Sequence, residues 1–339
     1  MQLKFYPYTL RLKKRFTIST HSRLTTPAVI VEIEHDGVTG YGEASLPPYL
    51  DEDQQSVISF LNKVNLNQFN NPIDLDSVIQ KINETELGNN VAKAAINIAL
   101  HDLVGKMLDV PLYRYLNILK KDDNFSSYTL SISDPKSLKE RIKESSKYKF
   151  LKVKLGSKDD KKIIKTIRSV TSKLLFVDVN QGWSDKYFAL DMIGWLKDQN
   201  VILIEQPLPK ENLKDTSWLT ERSPLPVIAD ETIKGFNDLH KIKNVYSGVN
   251  IKLMKAGGIN QAYKMIQKSR ELNLKVMIGC MTETSCAITA ASHLSPLADW
   301  VDLDGAELIS NDLFSGMKII DGKIVIPESP GLGVNKLTN

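Results

Sequence analysis

The sequence contains little cysteine, little net charge and no long apolar run. Its only cysteines are Cys280 and Cys286, which excludes a disulfide framework and a cluster of thiolate metal ligands. A formal net charge of +4 is too small to indicate binding to nucleic acid or to a membrane surface. No segment is apolar over a length that spans a bilayer, and the initial MQLKFYPYTL lacks the apolar core of a signal peptide. We therefore expect a reducing, cytoplasmic location.

What is present is the composition of a folded enzyme-sized protein. Hydrophobic residues make up 42% and charged residues 25% of the 339 residues, so a substantial core is expected and disorder is not. No haem or flavin motif is visible. The glycine-rich GVTGYGEA lies in a predicted hairpin rather than before a helix, which argues against a dinucleotide site.

The first third of the chain predicts a small module that mixes strands and helices. An Asp-Gly pair at 36–37 lies between two β-type runs and predicts a hairpin. The predicted strands are LKFYPYTLRL, FTIST and AVIVEIEHDGVTGYGEA. Helices are predicted over 52–64, 75–82 and the Ala-rich NNVAKAAINIALHDLVGKML, which is expected to be buried.

From about residue 127 onward, short apolar runs alternate with amphipathic stretches. The runs are YTLSIS, FLKVKL, LLFVDV, VILIEQ, PVIADE, GVNIKL, KVMIGC and WVDLDG. Eight strands alternating with helices predict a parallel α/β barrel of the TIM type. The last connection has room for only a short helix, and the tail from about 312 is expected to return to the N-terminal module.

The FLKVKLG run places two lysines on one face of a predicted strand. Lys152 and Lys154 alternate with Leu151, Val153 and Leu155, so the apolar side chains pack on helices and the lysines point into the barrel. Active sites of such barrels lie at the carboxyl ends of the strands. The alternative is that both lysines extend to solvent from an edge strand.

The next three strands each end in an acidic residue: Asp178, Glu205 and Asp230. Three carboxylates on neighbouring strand ends form an oxygen-rich site that suits Mg²⁺. Each acid taken alone is more often a helix cap or a loop residue, and it is the three in register that favour a metal site. The sixth strand ends at Lys252, which is expected to face Lys154 across the barrel mouth.

This arrangement suits the removal of a proton next to a carboxylate. The reaction creates a second negative charge, which a divalent cation can stabilise. A lysine serves as the base only if its pKa falls, and neighbouring cations would lower it. A second lysine on the opposite side can return the proton, which inverts the carbon.

These motifs resemble the enolase superfamily, muconate-lactonizing subgroup. The matching stretches, in order, are KVK, DVNQGW, EQP, ADE and NIKLMKAGG. The resemblance covers essentially the whole chain and implies a (β/α)7β barrel with an α+β capping domain. We expect a capping domain at 1–120, the barrel with the catalytic site at 121–311, and a return to the capping domain at 312–339.

The resemblance also implies a role for each site residue. Asp178, Glu205 and Asp230 would bind Mg²⁺. Lys154 and Lys252 would be the acid/base pair. Lys152 would polarise the substrate carboxylate.

Within the subgroup, the VDLDG stretch resembles the dipeptide epimerases. There Asp302 and Asp304 would hold the free ammonium group of the substrate, because two carboxylates can compensate one buried cation. The alternative is a solvated acidic turn. GCMTETSCAITAASH is similar to the epimerases that act on L-Ala-D/L-Glu during peptidoglycan recycling. The resemblance implies that the stretch from Cys280 to Thr282 holds the peptide backbone.

Recognition of the substrate side chain depends on the STHSRLTTP segment, interpreted as a loop that covers the site. Arg23 can bind the γ-carboxylate of a C-terminal glutamate. His21 stands where similar enzymes carry an arginine, and a solvated Arg23 remains an alternative. Asn180 and Asn250 share the inward phase of their strands. His101 is interpreted as structural and Lys255 as a solvated loop residue.

The sequence therefore predicts a Mg²⁺-dependent dipeptide epimerase, with a dipeptide as partner and a homo-oligomer as a possible assembly. An o-succinylbenzoate synthase or muconate cycloisomerase of the same subgroup is the alternative, because it shares the lysines and acids but needs no ammonium site. A sugar-acid dehydratase is disfavoured, because Lys252 stands where that group has a His-Asp dyad. A non-catalytic binding protein on the same scaffold is the alternative of a different class.

Overall fold

Eight parallel strands form the centre of the computed structural model, which describes residues 1–69 and 71–338. In chain order these strands are β4 (Ser127–Leu130), β5 (Phe150–Lys154), β6 (Leu174–Asp178), β7 (Val201–Glu205), β8 (Val227–Ala229), β9 (Gly248–Ile251), β10 (Lys275–Gly279) and β11 (Trp300–Asp302). Each strand pairs with the next, and a parallel bridge from Ser126 to Val301 brings the first and last strands together. The predicted barrel is therefore present, and all eight runs form strands.

Helices cover the outside of the barrel in the connections between strands. They are α5 (Pro135–Glu144), α6 (Asp160–Arg168), α7 (Lys186–Lys197), α8 (Leu213–Arg222), α9 (Leu239–Ile242), α10 (Leu253–Ala256), α11 (Ile259–Glu271) and α12 (Ser285–Ser292). The last strand leads into a 3-10 helix over Gly305–Leu308. Outward side chains such as Leu151 and Val153 pack with the apolar faces of these helices.

A three-stranded antiparallel sheet and four helices form the N-terminal module. The strands are β1 (Gln2–Thr17), β2 (Ser22–His35) and β3 (Val38–Ser45). The helices are α1 (Gln54–Lys63), α2 (Leu75–Thr85), α3 (Asn90–Met107) and α4 (Leu112–Tyr115). Asp36 and Gly37 have φ of 49° and 76°, which are the values of a two-residue hairpin turn. FTIST is not a separate strand, because β1 continues through an irregularity between Arg11 and Phe16.

The sheet of this module packs against the buried helix α3. Its alanines allow β3 to lie directly on the helix. A Cβ on Gly40 would be 2.1 Å from Ala99 O, and one on Gly42 would be 2.0 Å from Ala95 O. Glycine is therefore required at both positions by close backbone approach.

The C-terminal tail returns to this module. Strand β12 (Phe314–Ser315) pairs with β15 (Asn335–Lys336), and β13 (Lys318–Ile320) pairs with β14 (Lys323–Val325). Gly331 O accepts a hydrogen bond of 2.8 Å from Leu112 N, and Asp102 of α3 accepts one of 2.8 Å from Leu332 N. The segment boundaries after residues 120 and 311 stay predictions. In residues 1–69 and 71–338, no helix is both long and apolar enough to cross a membrane.

Candidate active site

The carboxyl ends of the barrel strands bring the predicted polar residues into one pocket. Lys152 and Lys154 lie on β5 with side chains 2% and 10% exposed. Their apolar neighbours on the strand face the helices, so the alternative of an edge strand does not apply. The pocket is lined by residues of seven strand ends and of the N-terminal module: Phe16, Ile18, Arg23, Tyr49, Thr129, Lys152, Lys154, Asn180, Asp230, Glu231, Lys252, Cys280, Met281, Thr282, Asp302, Asp304 and Leu308.

Three carboxylates converge at this pocket, and one of them, Asp230, lines it. Asp178, Glu205 and Asp230 each offer an oxygen, and these oxygens lie within 4.8 Å of one another. Asp178 and Glu205 end β6 and β7, and Asp230 follows β8 directly. Parallel strands in register place the residues that end them side by side, which is why three acids some 25 residues apart converge.

The ammonium group of Lys152 lies among three carboxylates. Its Nζ is 2.7 Å from Glu205 Oε2, 2.8 Å from Asp302 Oδ2 and 3.1 Å from Asp178 Oδ2. The Glu205 contact is close but not aligned as a hydrogen bond. Lys152 thus joins the acidic trio to the Asp302 side of the pocket.

Lys154 and Lys252 lie on opposite walls of the barrel. Strands β5 and β9 are four steps apart in an eight-stranded order, which places them across the barrel from each other. Lys154 Nζ is 2.5 Å from Asp178 Oδ2, and Lys252 Nζ is 2.7 Å from Asp230 Oδ2. Each lysine therefore approaches the acidic trio from its own side.

Carboxylates strongly affect the pKa of two of the lysines, Lys152 and Lys252. Burial disfavours the ammonium form of Lys152, but Asp302, Glu205 and Asp178 outweigh burial and raise its pKa well above the usual range. Asp230 does the same for the pKa of Lys252. The fall in pKa that the sequence predicts for the base lysine depends on Mg²⁺ at the acidic trio and stays a prediction.

The same contacts shift the pKa values of the three acids in different directions. Burial alone would raise the pKa of Asp178, but Lys154 and Lys152 lower it, and Lys252 and Lys255 hold the pKa of Asp230 well below its usual range. Burial and the nearby Asp178 raise the pKa of Glu205 to about 7.

The trio fits a hard divalent cation. All three donors are carboxylate oxygens, and Glu205 Oε2 is buried without an aligned hydrogen-bond donor. The other oxygen, Glu205 Oε1, accepts a 2.7 Å bond from Asn250 Nδ2, which orients the carboxylate. Oxygen donors at this spacing with charge to compensate are the ligands that Mg²⁺ prefers.

A second acidic pair lies on the opposite side of Lys152. Asp302 Oδ1 accepts 2.7 Å from Ser127 Oγ. Asp304 accepts from Thr129 N at 2.6 Å and from Thr129 Oγ1 at 3.0 Å. Both acids are buried, so a solvated turn does not describe them. Burial and the adjacent Asp302 raise the pKa of Asp304 to about 7.

The module covers the pocket through Arg23, which lies on strand β2 and not in a loop. The guanidinium donates 2.7 Å to Thr282 Oγ1 and 3.1 Å to Thr26 Oγ1. It lies 5.1 Å from the Phe16 ring centroid and 3.0 Å from His21 Nε2. Within the described residues, Arg23 has no carboxylate partner. A solvated Arg23 is therefore not what the structure shows.

The structure adds residues that sequence reasoning missed. Lys255 was interpreted as solvated, but it lies on α10 with its side chain 9% exposed and donates 2.6 Å to Asp230 O. Its spacing of three from Lys252, at the start of a helix, was the available signal. No pattern identified Thr129, because its partners are more than 170 residues away.

The remaining predicted residues occupy different places. Cys280 and Thr282 line the pocket, and burial raises the pKa of the Cys280 thiol well above its usual range. Asn180 also lines the pocket and donates 3.0 Å to Glu231 Oε1. His101 is buried in α3, away from the pocket, and bonds through Nδ1 to Asn97 O at 2.7 Å.

Comparisons with known proteins agree with this geometry. The model of the enolase C-terminal domain-like family matches residues 136–336, and the model of the mandelate racemase/muconate lactonizing enzyme N-terminal domain matches residues 5–116. The chain is 49% identical over 338 residues to the L-Ala-D/L-Glu epimerase of Bacteroides thetaiotaomicron, covering 99% of this chain and 88% of that protein.

Two solved structures superpose closely. The substrate-liganded L-Ala-D/L-Glu epimerase of Bacillus subtilis has a TM-score of 0.90 at 28% identity, covering 98% of each chain. The dipeptide epimerase of Cytophaga hutchinsonii, complexed with Mg and D-Ala-L-Val, has a TM-score of 0.90 at 27% identity, covering 99% of this chain and 96% of that one.

Proposed function

Because the chain belongs to the enolase superfamily, in its mandelate racemase/muconate lactonizing enzyme branch, we propose that it is a Mg²⁺-dependent dipeptide epimerase. It inverts the α-carbon of the C-terminal residue, with L-Ala-D/L-Glu as the substrate class. The observation that carries the proposal is the placement of Lys154 and Lys252 on opposite walls, with the acidic trio between them.

The two lysines act on opposite faces of the α-carbon. One lysine, as the neutral amine, removes the α-proton from its own face of the carbon. The other, as the ammonium ion, delivers a proton to the opposite face, so the configuration inverts and no proton is gained or lost overall. Lys154 and Lys252 exchange these roles for the two isomers.

Asp178, Glu205 and Asp230 would hold Mg²⁺ at the substrate carboxylate. When bound, the cation supplies positive charge where the carboxylate gains negative charge during proton removal. Lys152 adds its ammonium charge beside the same group. Its contacts with Asp178, Glu205 and Asp302 fix the position of its ammonium group.

The free amino group of the dipeptide would lie at the Asp302–Asp304 pair. The two acids carry enough charge to balance Lys152 and one further cation. A substrate without an ammonium group would leave that charge uncompensated in a buried place. This pair favours a dipeptide over the acids that a lyase of the same family uses.

Arg23 would select the C-terminal side chain. Its guanidinium is fixed over the pocket by Thr26 and Thr282, and it lacks a carboxylate partner in residues 1–69 and 71–338. A carboxylate side chain on the substrate supplies that partner, which favours glutamate or aspartate. His21 Nε2 accepts a hydrogen bond from the guanidinium of Arg23, so we assign the side-chain contact to Arg23 and not to His21. The segment at 280–282 would hold the peptide backbone.

The experiment is α-deuterium incorporation from D₂O across a panel of L-Ala-X dipeptides, with and without Mg²⁺. We expect exchange and epimerisation with L-Ala-L-Glu, weaker turnover with neutral X, and none after chelation until Mg²⁺ is restored. N-acetyl-L-Ala-L-Glu is the matched control without an ammonium group. If no dipeptide exchanges its α-hydrogen while an acid substrate of the lyases turns over, the proposal is wrong.

The sequence also predicts a cytoplasmic location and a possible homo-oligomer. Both stay predictions. A reducing compartment is compatible with the two free thiols, of which Cys286 is buried.

A further inference from the structure

The glycine-rich strand GYGEAS of the capping module, residues 40–45, has no part in the function described so far. Gly40 and Gly42 place one face of this strand against α3. Side chains alternate along a strand, so Glu43 and Ser45 lie on the other face. That face contacts the loop between β10 and α12.

Both polar side chains hold that loop. The carboxylate of Glu43 accepts from Thr284 N at 2.9 and 3.0 Å and from the hydroxyl of Thr284. Ser45 Oγ donates 2.6 Å to Thr282 O. Glu43 and Ser45 therefore hold the loop at two positions, on either side of Glu283.

In the proposed function, this loop contacts the substrate. Cys280, Met281 and Thr282 line the pocket, whereas Glu43 and Ser45 do not. Thr282 Oγ1 is also the acceptor that fixes Arg23. A displacement at Thr282 would thus move both the backbone that contacts the dipeptide and the guanidinium that contacts its side chain.

The Glu43 contact is an unusual use of a carboxylate. Glu43 is 0% exposed, and no lysine or arginine in the described residues pairs with it. Burial and the nearby Glu283 raise its pKa to about 8. Burying such a group without a cation costs free energy unless it is well hydrogen-bonded, and all its donors belong to Thr284, the N-cap of α12.

We propose that Glu43 and Ser45 are positioning residues for substrate recognition, which fix residues 282–284 from the capping module and, through Thr282, hold Arg23 in place. This inference rests on the proposed function. It makes selectivity for the substrate depend on a strand that does not touch the substrate.

Asp312 provides a matched control. It caps the same helix from the C-terminal tail, since its carboxylate accepts from Ser285 N at 3.0 and 3.1 Å and from Ser285 Oγ at 2.7 Å. It bonds to neither Thr282 nor Thr284. Loss of Asp312 therefore weakens α12 without releasing the loop.

The test compares Ser45→Ala, Glu43→Ala and Glu43→Gln with Asp312→Ala in the full chain. We expect Ser45→Ala and Glu43→Ala to raise KM for L-Ala-L-Glu about tenfold, with kcat changed less. The preference for L-Ala-L-Glu over L-Ala-L-Leu should fall by a similar factor, because Arg23 loses its orientation. Glu43→Gln keeps an acceptor for Thr284 N and should recover most of both losses. Asp312→Ala should lower Tm and leave both KM and the substrate preference unchanged.

A second measurement does not depend on the substrate. Amide hydrogen exchange over residues 280–284 should become faster in Ser45→Ala and Glu43→Ala, and stay at the wild-type rate in Asp312→Ala. The inference is overturned if exchange in this loop and the selectivity ratio are unchanged in both Ser45→Ala and Glu43→Ala, or if Asp312→Ala changes them equally. Wild-type protein that turns over no dipeptide contradicts the proposed function instead, and the exchange arm still decides whether the strand holds the loop.

Discussion

The interior of the barrel is apolar at one end, here called the lower end, and charged at the other end, the mouth. Near the start of β6, Phe176 is 1% exposed, and two residues later Asp178 is 0% exposed. The Phe176 ring stacks on Phe150 with centroids 5.3 Å apart. Its apolar cluster in the barrel is completed by Leu203, Ile228 and Met277. Two residues further along each of these strands, the position at the barrel mouth holds an acid, a lysine or, on β10, Gly279. The absence of a side chain at Gly279 leaves space for Asn250.

Equal burial therefore has opposite consequences at the two ends. Apolar groups at the lower end contribute stability through burial and close packing. Charged groups at the mouth cost free energy to bury and are compensated only by one another. We infer that the lower end stabilises the barrel, and that the mouth is retained for chemistry.

The sharpest test of this division is Lys252→Ala. Removal of one of the two proton carriers should lower epimerisation about 10⁴-fold, while Tm changes little, because Asp230 keeps its contact with Lys255. Chiral chromatography of L-Ala-L-Glu and L-Ala-D-Glu measures the rate. The exposed Lys264→Ala is the control. Epimerisation within tenfold of wild type would remove Lys252 from the mechanism.

The corresponding change at the lower end is Phe176→Ala. The cavity it leaves should lower the free energy of unfolding by about 3–5 kcal/mol, while kcat and KM of the folded enzyme stay near the wild-type values. Urea denaturation followed by fluorescence gives the stability. Phe176→Leu fills most of the space and should recover most of the loss. A large fall in kcat with normal stability would break the comparison.

Asp304→Asn tests whether the charge of this acid at the mouth binds the ammonium group of the substrate. It keeps size but removes one of the two negative charges assigned to the substrate ammonium, so kcat/KM for L-Ala-L-Glu should fall about 10²-fold. The wild-type preference over the N-acetyl analogue should shrink by a similar factor. Asp321→Asn, at an exposed turn, is the control. An unchanged preference would show that Asp304 does not read the ammonium group.

The smallest effect distinguishes the pH dependence of folding from that of catalysis. Burial lowers the pKa of His101 to about 4, against about 6.5 in an unfolded chain. The unfolded state therefore binds more protons between these values. Stability is full above pH 6.5 and falls by up to about 1.4 kcal/mol per pH unit as the pH drops toward 4.

His101→Gln removes this titrating group from α3, far from the mouth. Denaturation midpoints at pH 5 and pH 7 should lie closer together in this variant than in wild type. Activity profiles at pH 7 and above should not differ. An equal loss of stability at pH 5 in both proteins would assign the acid sensitivity to other groups.

The sequence was sufficient for the family, the barrel and the residues that end its strands. Alternation along FLKVKLG predicted which side chains face inward, because the period of a strand is two wherever it lies. The acidic trio followed from strand ends in register. The partners of Lys152 did not follow from the sequence, because they depend on which strands face each other across the barrel.

Sequence alone thus determined the kinds of residue at the mouth and the strand phase that turns them inward, since both are local properties of the chain. Only the tertiary structure decided the partners: Lys255 with Asp230, Thr129 with Asp304, Arg23 with Thr282 and Glu43 with Thr284. The last three pairs join residues more than 170 positions apart. Barrel closure and the packing of the N-terminal module on the barrel bring them together, and no pattern within a strand or helix records that contact.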